Sequence, residues 1–121
     1  VPVLRDIGNR SIEDIREGLN RLRQDVTDRT IPPSELQGGT ITLSNFGTIA
    51  GRYASPIVVP PTVAILGAGV IRDQVMPVAG KVAIRRVMPL SLTFDHRAAT
   101  GGEAARFMRA VITDLAKESI S

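Results

Sequence analysis

A chain of 121 residues is long enough for one domain and one modest hydrophobic core. Hydrophobic residues make up 43% and charged residues 22%, a balance that argues for a globular fold and against intrinsic disorder. There is no cysteine, which excludes disulfides, thiolate zinc sites and a protein-borne thiol nucleophile and fits a reducing compartment. The net charge is +3, and with one Tyr, three Phe and no Trp there is little for nucleic-acid bases to stack on. A small anionic ligand is the better expectation. The uncharged stretch from Ala54 to Ile71 is broken by Pro56, Pro60, Pro61, Gly67 and Gly69, so it is no helical membrane span. The chain opens with Val1-Pro2-Val3-Leu4 instead of Met, strand-like from its first residue, and is expected to be a piece of a longer protein.

The first strong pattern is a helix from Ser11 to Asp28. Ser11 is a good N-cap with Asp14 three residues on, and Ile12, Ile15, Leu19, Leu22 and Val26 form an apolar stripe. Ile31-Pro32-Pro33 is expected to end it, because a residue before proline is pushed out of the helical region. A short turn follows within Ser34–Gln37. Thr40 to Ser44 alternates polar and apolar, the period of a strand with one buried face. Asn45 to Pro61 reads as a long irregular connection, and Thr62 to Val70, small and apolar, as a strand buried on both faces. Gln74–Val78 and Lys81–Met88 flank Ala79-Gly80 and predict a hairpin. Leu90–Phe94 predicts another strand. Gly101–Glu118 predicts a helix with Thr100 as N-cap, Glu103 as its capping-box acid, and Ala105, Met108, Ile112 and Leu115 as the buried stripe. The order implies an α+β sandwich: two helices on one face of one sheet.

Histidine is the side-chain type suited to act as a base near neutral pH, and the chain has one, His96. It lies between a strand end and a helix start, where loops present functional groups from a rigid scaffold. A lone histidine in a turn more often just satisfies a backbone group, so context has to decide its role. Ser44, taken alone, is likewise an ordinary polar residue at a strand end.

The context is a run of motifs. Leu90-Ser91-Leu92-Thr93-Phe94-Asp95-His96-Arg97, with Gly101 and Ala104-Ala105-Arg106-Phe107, resembles the C-terminal signature of the dihydrolipoamide acyltransferases, the catalytic core of the 2-oxo acid dehydrogenase complexes. That signature is Asp-His-Arg, two residues, then Asp or Asn and Gly. Gly38-Gly39-Thr40-Ile41-Thr42-Leu43-Ser44-Asn45-Phe46-Gly47 is similar to the family's Gly-Gly-Thr-Phe-Thr-Ile-Ser-Asn-Leu-Gly, and Pro56-Ile57-Val58, Pro60-Pro61 and Val63-Ala64-Ile65-Leu66-Gly67 to a third block. Val1 to Asp6 resembles Val-Pro-Val-Ile-Arg-Asp. The likeness runs along the whole chain in order.

The resemblance implies a chloramphenicol acetyltransferase-like two-layer α+β sandwich with a mixed sheet, residues 1–121 being the C-terminal half of the catalytic domain. It implies transfer of an acyl group between the thiols of dihydrolipoamide and coenzyme A, the lipoyl group riding on a separate domain. His96 would be the general base and Ser44 the oxyanion donor. A thiol of pKa about 8.5 needs only modest help from an imidazole near 6.5, and one oxyanion donor can lower a barrier by roughly 3–4 kcal/mol. Thr100 stands where the family has an acid or amide that supports the active-site loop; it keeps a capping hydroxyl and lacks the charge. Asp95 and Arg97 are expected to form structural ion pairs. Pro56, Ile57, Pro61 and Leu66 are expected in the coenzyme channel, while Arg52, Arg72, Lys81, Arg85 and Arg86 are uncommitted candidates for its phosphates.

Implied partners are two further copies in a trimer, with base and oxyanion donor on different subunits, a larger hollow core built from trimers, and the complex's decarboxylase and dihydrolipoamide dehydrogenase. A bacterial cytoplasm, or a mitochondrial matrix in a eukaryote, would suit. Overall resemblance favours acetyl or branched-chain transfer over succinyl. The alternative is a catalytically impaired structural subunit of such a complex, to which the lost acid at Thr100 gives weight. A chloramphenicol-type acetyltransferase fits less well, because it would carry His-His where Asp95-His96 stands.

Overall fold

The computed structural model describes residues 1–49 and 51–117, in two compact units: residues 1–40 with 106 onward, and residues 41–105. In the first, the predicted helix forms as α1, Ile12–Thr27. The Ser11 side chain accepts a hydrogen bond from the Asp14 amide at 3.1 Å, which satisfies one of the amides a helix start leaves unpaired. The helix ends before the prolines are reached. Arg29 turns left-handed (φ 57°) and the Thr30 amide closes back onto the Asp25 carbonyl at 2.9 Å.

The buried stripe of α1 is rotated from the expected one. Gly18 and Leu22 are buried and Ile15 half-buried, whereas Ile12, Leu19 and Val26 are all more than two-fifths exposed. The reason is Leu4: its Cδ1 would lie 2.7 Å from a Cβ at Gly18, so the glycine is the seat for this side chain. Val1 to Leu4 are accordingly no strand. They run along the helix, and Val3 donates one backbone bond to Glu35 O (2.7 Å), with no strand beside them among the described residues. Arg5 ties the same segment to the Pro33–Leu36 turn through the Ser34 and Gln37 carbonyls (2.8 and 2.6 Å).

The second unit holds the strands. They are β1 (Ile41–Asn45), β2 (Ala64–Ala68), β3 (Arg72–Val78), β4 (Lys81–Val87) and β5 (Leu90–Phe94). β1 pairs parallel with β2, and β2 antiparallel with β5, a mixed three-stranded sheet; β3 and β4 form a two-stranded sheet of their own instead of joining it. Ala79 (φ 51°) and Gly80 (φ 77°) both take positive φ, the geometry of a type I′ turn, which twists with the strands it joins. α2 (Gly101–Leu115) begins in this unit and continues into the other. Its half-buried positions are Ala104, Met108 and Val111, while Ala105, Ile112 and Leu115 are exposed; the last predicted helical residue, Glu118, lies outside the described residues.

β1 alternates as predicted, with the burial reversed. Thr42 and Ser44 are half-buried, and Leu43 is 70% exposed. Paired residues of neighbouring strands share a face, so Ser44, Gly67 and Ser91 form one row, and Leu43, Leu66 and Leu92 another on the opposite face. The polar face is sheltered by the connection after β1: the Phe46 ring lies where a Cβ on Gly67 would be (2.9 Å), and the Ala54 amide donates to Ser91 Oγ (3.3 Å). β2, expected to be buried on both faces, is so only at its end, Gly67 and Ala68.

Candidate active site

Asp95 follows β5 and organises the turn that carries His96. Its amide donates to Val63 O at 2.7 Å, tying the turn to the start of β2, and its carbonyl accepts from the Ala98 and Ala99 amides (2.9 and 3.2 Å). Its carboxylate takes three bonds from Arg97: the backbone amide (2.9 Å) and Nε (3.0 Å) on Oδ1, and a guanidinium nitrogen (2.8 Å) on Oδ2. The Arg97 side-chain bonds, then its amide, hold the Asp95 carboxyl down at about 2, well below the ordinary carboxylate range. The two side chains thus form an ion pair with each other across His96, which itself points to solvent with its ring 5.6 Å from that of Phe94.

Thr100 closes the turn. Its Oγ1 accepts from the Glu103 amide (3.2 Å), and Glu103 Oε2 accepts from the Thr100 amide (2.9 Å), the reciprocal capping box expected at the start of α2. Its hydroxyl oxygen is therefore engaged as a helix cap.

Ser44 sits near the end of β1, opposite Gly67. The segment after it approaches neighbouring backbone so closely that side chains would not fit. A Cβ on Gly47 would land on the Gly69 carbonyl, and one on Gly69 on the Arg52 carbonyl. The Phe46 and Gly47 amides both donate to Ala68 O (3.1 and 3.2 Å), and the Val70 amide to Gly51 O (2.9 Å). Gly47 is what the Ser-Asn-Phe-Gly motif supplies, close backbone approach, and Gly69, two residues past the Ile-Leu-Gly motif, serves the same end. A depression of about 280 Å³ opens here, lined by Asn45, Gly47, Thr48, Gly69, Val70 and Met88 among others. Thr48, Val70 and Met88 carry no motif signal and were not legible as lining residues.

Within one chain, Ser44 and His96 are not brought together. Ser44 shares its row with Ser91, three residues before Phe94, and β2 lies between β1 and β5. That is roughly 10 Å along the strands and roughly 10 Å across them, before the turn carrying His96 is added. The expected coenzyme residues are scattered as well. Pro56 and Ile57 (82% exposed) lie in the irregular connection, Pro61 in the turn before β2, and Leu66 in mid-strand on the face opposite Ser44. None of the four lines the depression.

The family model for 2-oxoacid dehydrogenases acyltransferase (catalytic domain) matches residues 1–119. The chain belongs to this family. It is 37% identical over 111 residues to the mitochondrial dihydrolipoyllysine-residue succinyltransferase component of the 2-oxoglutarate dehydrogenase complex of Mus musculus, covering 92% of this chain and 24% of that protein. Among solved structures, a dihydrolipoamide acetyltransferase of Azotobacter vinelandii superposes with a TM-score of 0.87 at 34% identity, over 97% of this chain and 48% of that one. The cubic core of the pyruvate dehydrogenase multienzyme complex gives the same figures. The chain therefore spans about a quarter of the curated relatives and about half of the solved cores. These structures confirm the mixed α+β fold.

The relatives correct the expected acyl preference. Several of them, the mouse protein included, are named succinyltransferases, beside a branched-chain lipoamide acyltransferase component from Pseudomonas aeruginosa at 38% identity. The physical reason is that the motifs behind the expectation build a histidine-bearing turn and a glycine-packed strand end. These are features of the scaffold and do not form a pocket for the acyl chain, so their likeness carries no information about it.

Proposed function

We propose that this chain is the C-terminal half of an acyltransferase catalytic domain in a 2-oxo acid dehydrogenase complex, moving an acyl group between dihydrolipoamide and coenzyme A. The observation that carries the reading is an interval. The A. vinelandii study concerns the roles of a serine, a histidine and an asparagine in that enzyme's catalytic mechanism, spaced by 52 and by 4 positions. Ser44, His96 and Thr100 are spaced by the same 52 and 4. In this reading the His96 imidazole takes the proton of the attacking thiol, and the thiolate sulfur bonds to the thioester carbon. Ser44 donates a hydrogen bond to the oxyanion so formed, which collapses and expels the other thiolate, to which the imidazole returns the proton. Pro56, Ile57 and Pro61 are offered as apolar contacts for the coenzyme's pantetheine arm; Leu66 projects from the other face of the sheet and is left to the core.

The separation of Ser44 from His96 along and across the sheet supports a site shared between subunits of a trimer, His96 from one and Ser44 from the next. Such trimers would form the larger core that decarboxylase and dihydrolipoamide dehydrogenase subunits attend. A mixing experiment tests this on the full-length protein. His96→Ala and Ser44→Ala proteins, each nearly inactive, are unfolded together and reassembled. A shared site restores roughly a quarter of wild-type turnover in a 1:1 mixture, because one site in four pairs an intact histidine with an intact serine across a heterologous interface. Mixed particles with no recovery would overturn the shared site. Equal near-background rates for wild type and His96→Ala would favour the structural-subunit reading that Thr100, without the acid or amide, keeps in play.

A further inference from the structure

The His96 turn is held at its backbone by the Asp95–Arg97 ion pair, by Val63 and by the capping box, and none of these bonds involves the imidazole. No group among the described residues hydrogen-bonds that ring either. An exposed imidazole on a fixed backbone still turns about two side-chain torsions. Its one aromatic partner among the described residues is Phe94, the last residue of β5, which is half-buried and fixed in the ladder opposite Ala64. The two ring centroids are 5.6 Å apart and their planes are inclined by 32°, within the range of offset aromatic pairing. Pairing ring to ring uses neither imidazole nitrogen as a hydrogen-bonding group.

We propose that Phe94 is a positioning residue for His96: its ring holds the imidazole in one orientation, so that the base is aimed by its own chain before any second subunit supplies Ser44. The inference rests on reading His96 as the general base. It goes further by assigning the orientation of that base to a side chain that takes no part in proton transfer.

The test uses the full-length, assembled protein with coenzyme A and dihydrolipoamide. Phe94→Leu is expected to lower kcat about tenfold, the scale of a small misplacement of a reacting group, with KM for coenzyme A and particle mass unchanged. Phe94→Tyr, which keeps the ring, is expected to retain wild-type kcat. Wild-type kcat in Phe94→Leu, or an equal loss in Phe94→Tyr, would overturn the proposal. Should Phe94→Leu fail to assemble, Phe94→Met, similar in volume but without a ring, carries the same expectation and the same refutation. His96→Ala measured alongside separates the two levels. Full turnover in that variant removes the base assignment and the positioning role with it, whereas lost turnover in His96→Ala with none lost in Phe94→Leu removes the positioning role alone.

Discussion

The two ends of the three-stranded sheet are built by different means. At the His96 end, nearly every constraint is short-range: Asp95 to Arg97, Asp95 to Ala98 and Ala99, Thr100 to Glu103, with the single bond to Val63 reaching farther along the chain. At the Ser44 end the constraints are long-range and mostly backbone on backbone: Gly47 on Gly69, Gly69 on Arg52, and the Val70 amide on Gly51. The His96 turn is thus set by polar groups that find partners a few residues away. The Ser44 strand end is set by the absence of side chains at points of close approach, on an edge strand whose Leu43 is largely exposed. One end tolerates changes in its surroundings and depends on its own side chains; the other does the reverse.

That contrast can be broken or sharpened by three measurements. The largest effect is expected at the glycine-packed end. Gly69→Ala would put a methyl group on the Arg52 carbonyl and 2.7 Å from Pro89 Cγ. Overpacking of this kind costs about 1–3 kcal/mol, visible as a lower midpoint in thermal or urea unfolding. A variant as stable as wild type would show that this end yields and is not rigid. Next comes the cap of α2. Thr100→Ala is expected to cost about 1 kcal/mol in the same unfolding assay, with Thr100→Ser recovering most of it. No loss would mean that the capping box contributes little to the His96 end.

The smallest effect is the pH response of Asp95. Its carboxyl lies lower in the folded chain, at about 2, than in the unfolded chain, so the folded state binds the proton more weakly. The stabilisation is complete above the ordinary carboxylate value of 3.8 and is lost as pH falls through about 2. Unfolding midpoints of wild type and Asp95→Asn, compared from pH 5 to 2, should converge toward the acid end. Parallel curves would show that the Asp95–Arg97 pair adds nothing to folding, in keeping with the exposure of Arg97.

Much of the secondary structure was legible because it is governed by local rules. The Ala79-Gly80 turn, the Ser11 and Thr100 caps and the strand periods at Ile41–Asn45 and Leu90–Phe94 all depend on residues within a few positions of one another. What escaped was anything that depends on a distant partner. Val1–Leu4 has the composition of a strand, yet Leu4 seats on Gly18. The α1 stripe is rotated for the same reason, since periodicity locates an apolar side of a helix but not the residue that covers it. On β1 the alternation was read correctly and its buried side was not, because Phe46 and Ala54 shelter the polar face.

The candidate site divides along the same line. Motif singles out Ser44 and His96, and places Thr100 where the family has an acid or amide, because these short blocks are matched residue by residue along the chain. The sequence by itself thus determined the family, the elements and the candidate groups. Only the tertiary structure decided that Ser44 and His96 stand at opposite ends of one sheet and that Leu66 faces away from Ser44. Strand register and direction set these relations, and both arise from pairing between segments far apart in the chain, which local composition does not encode.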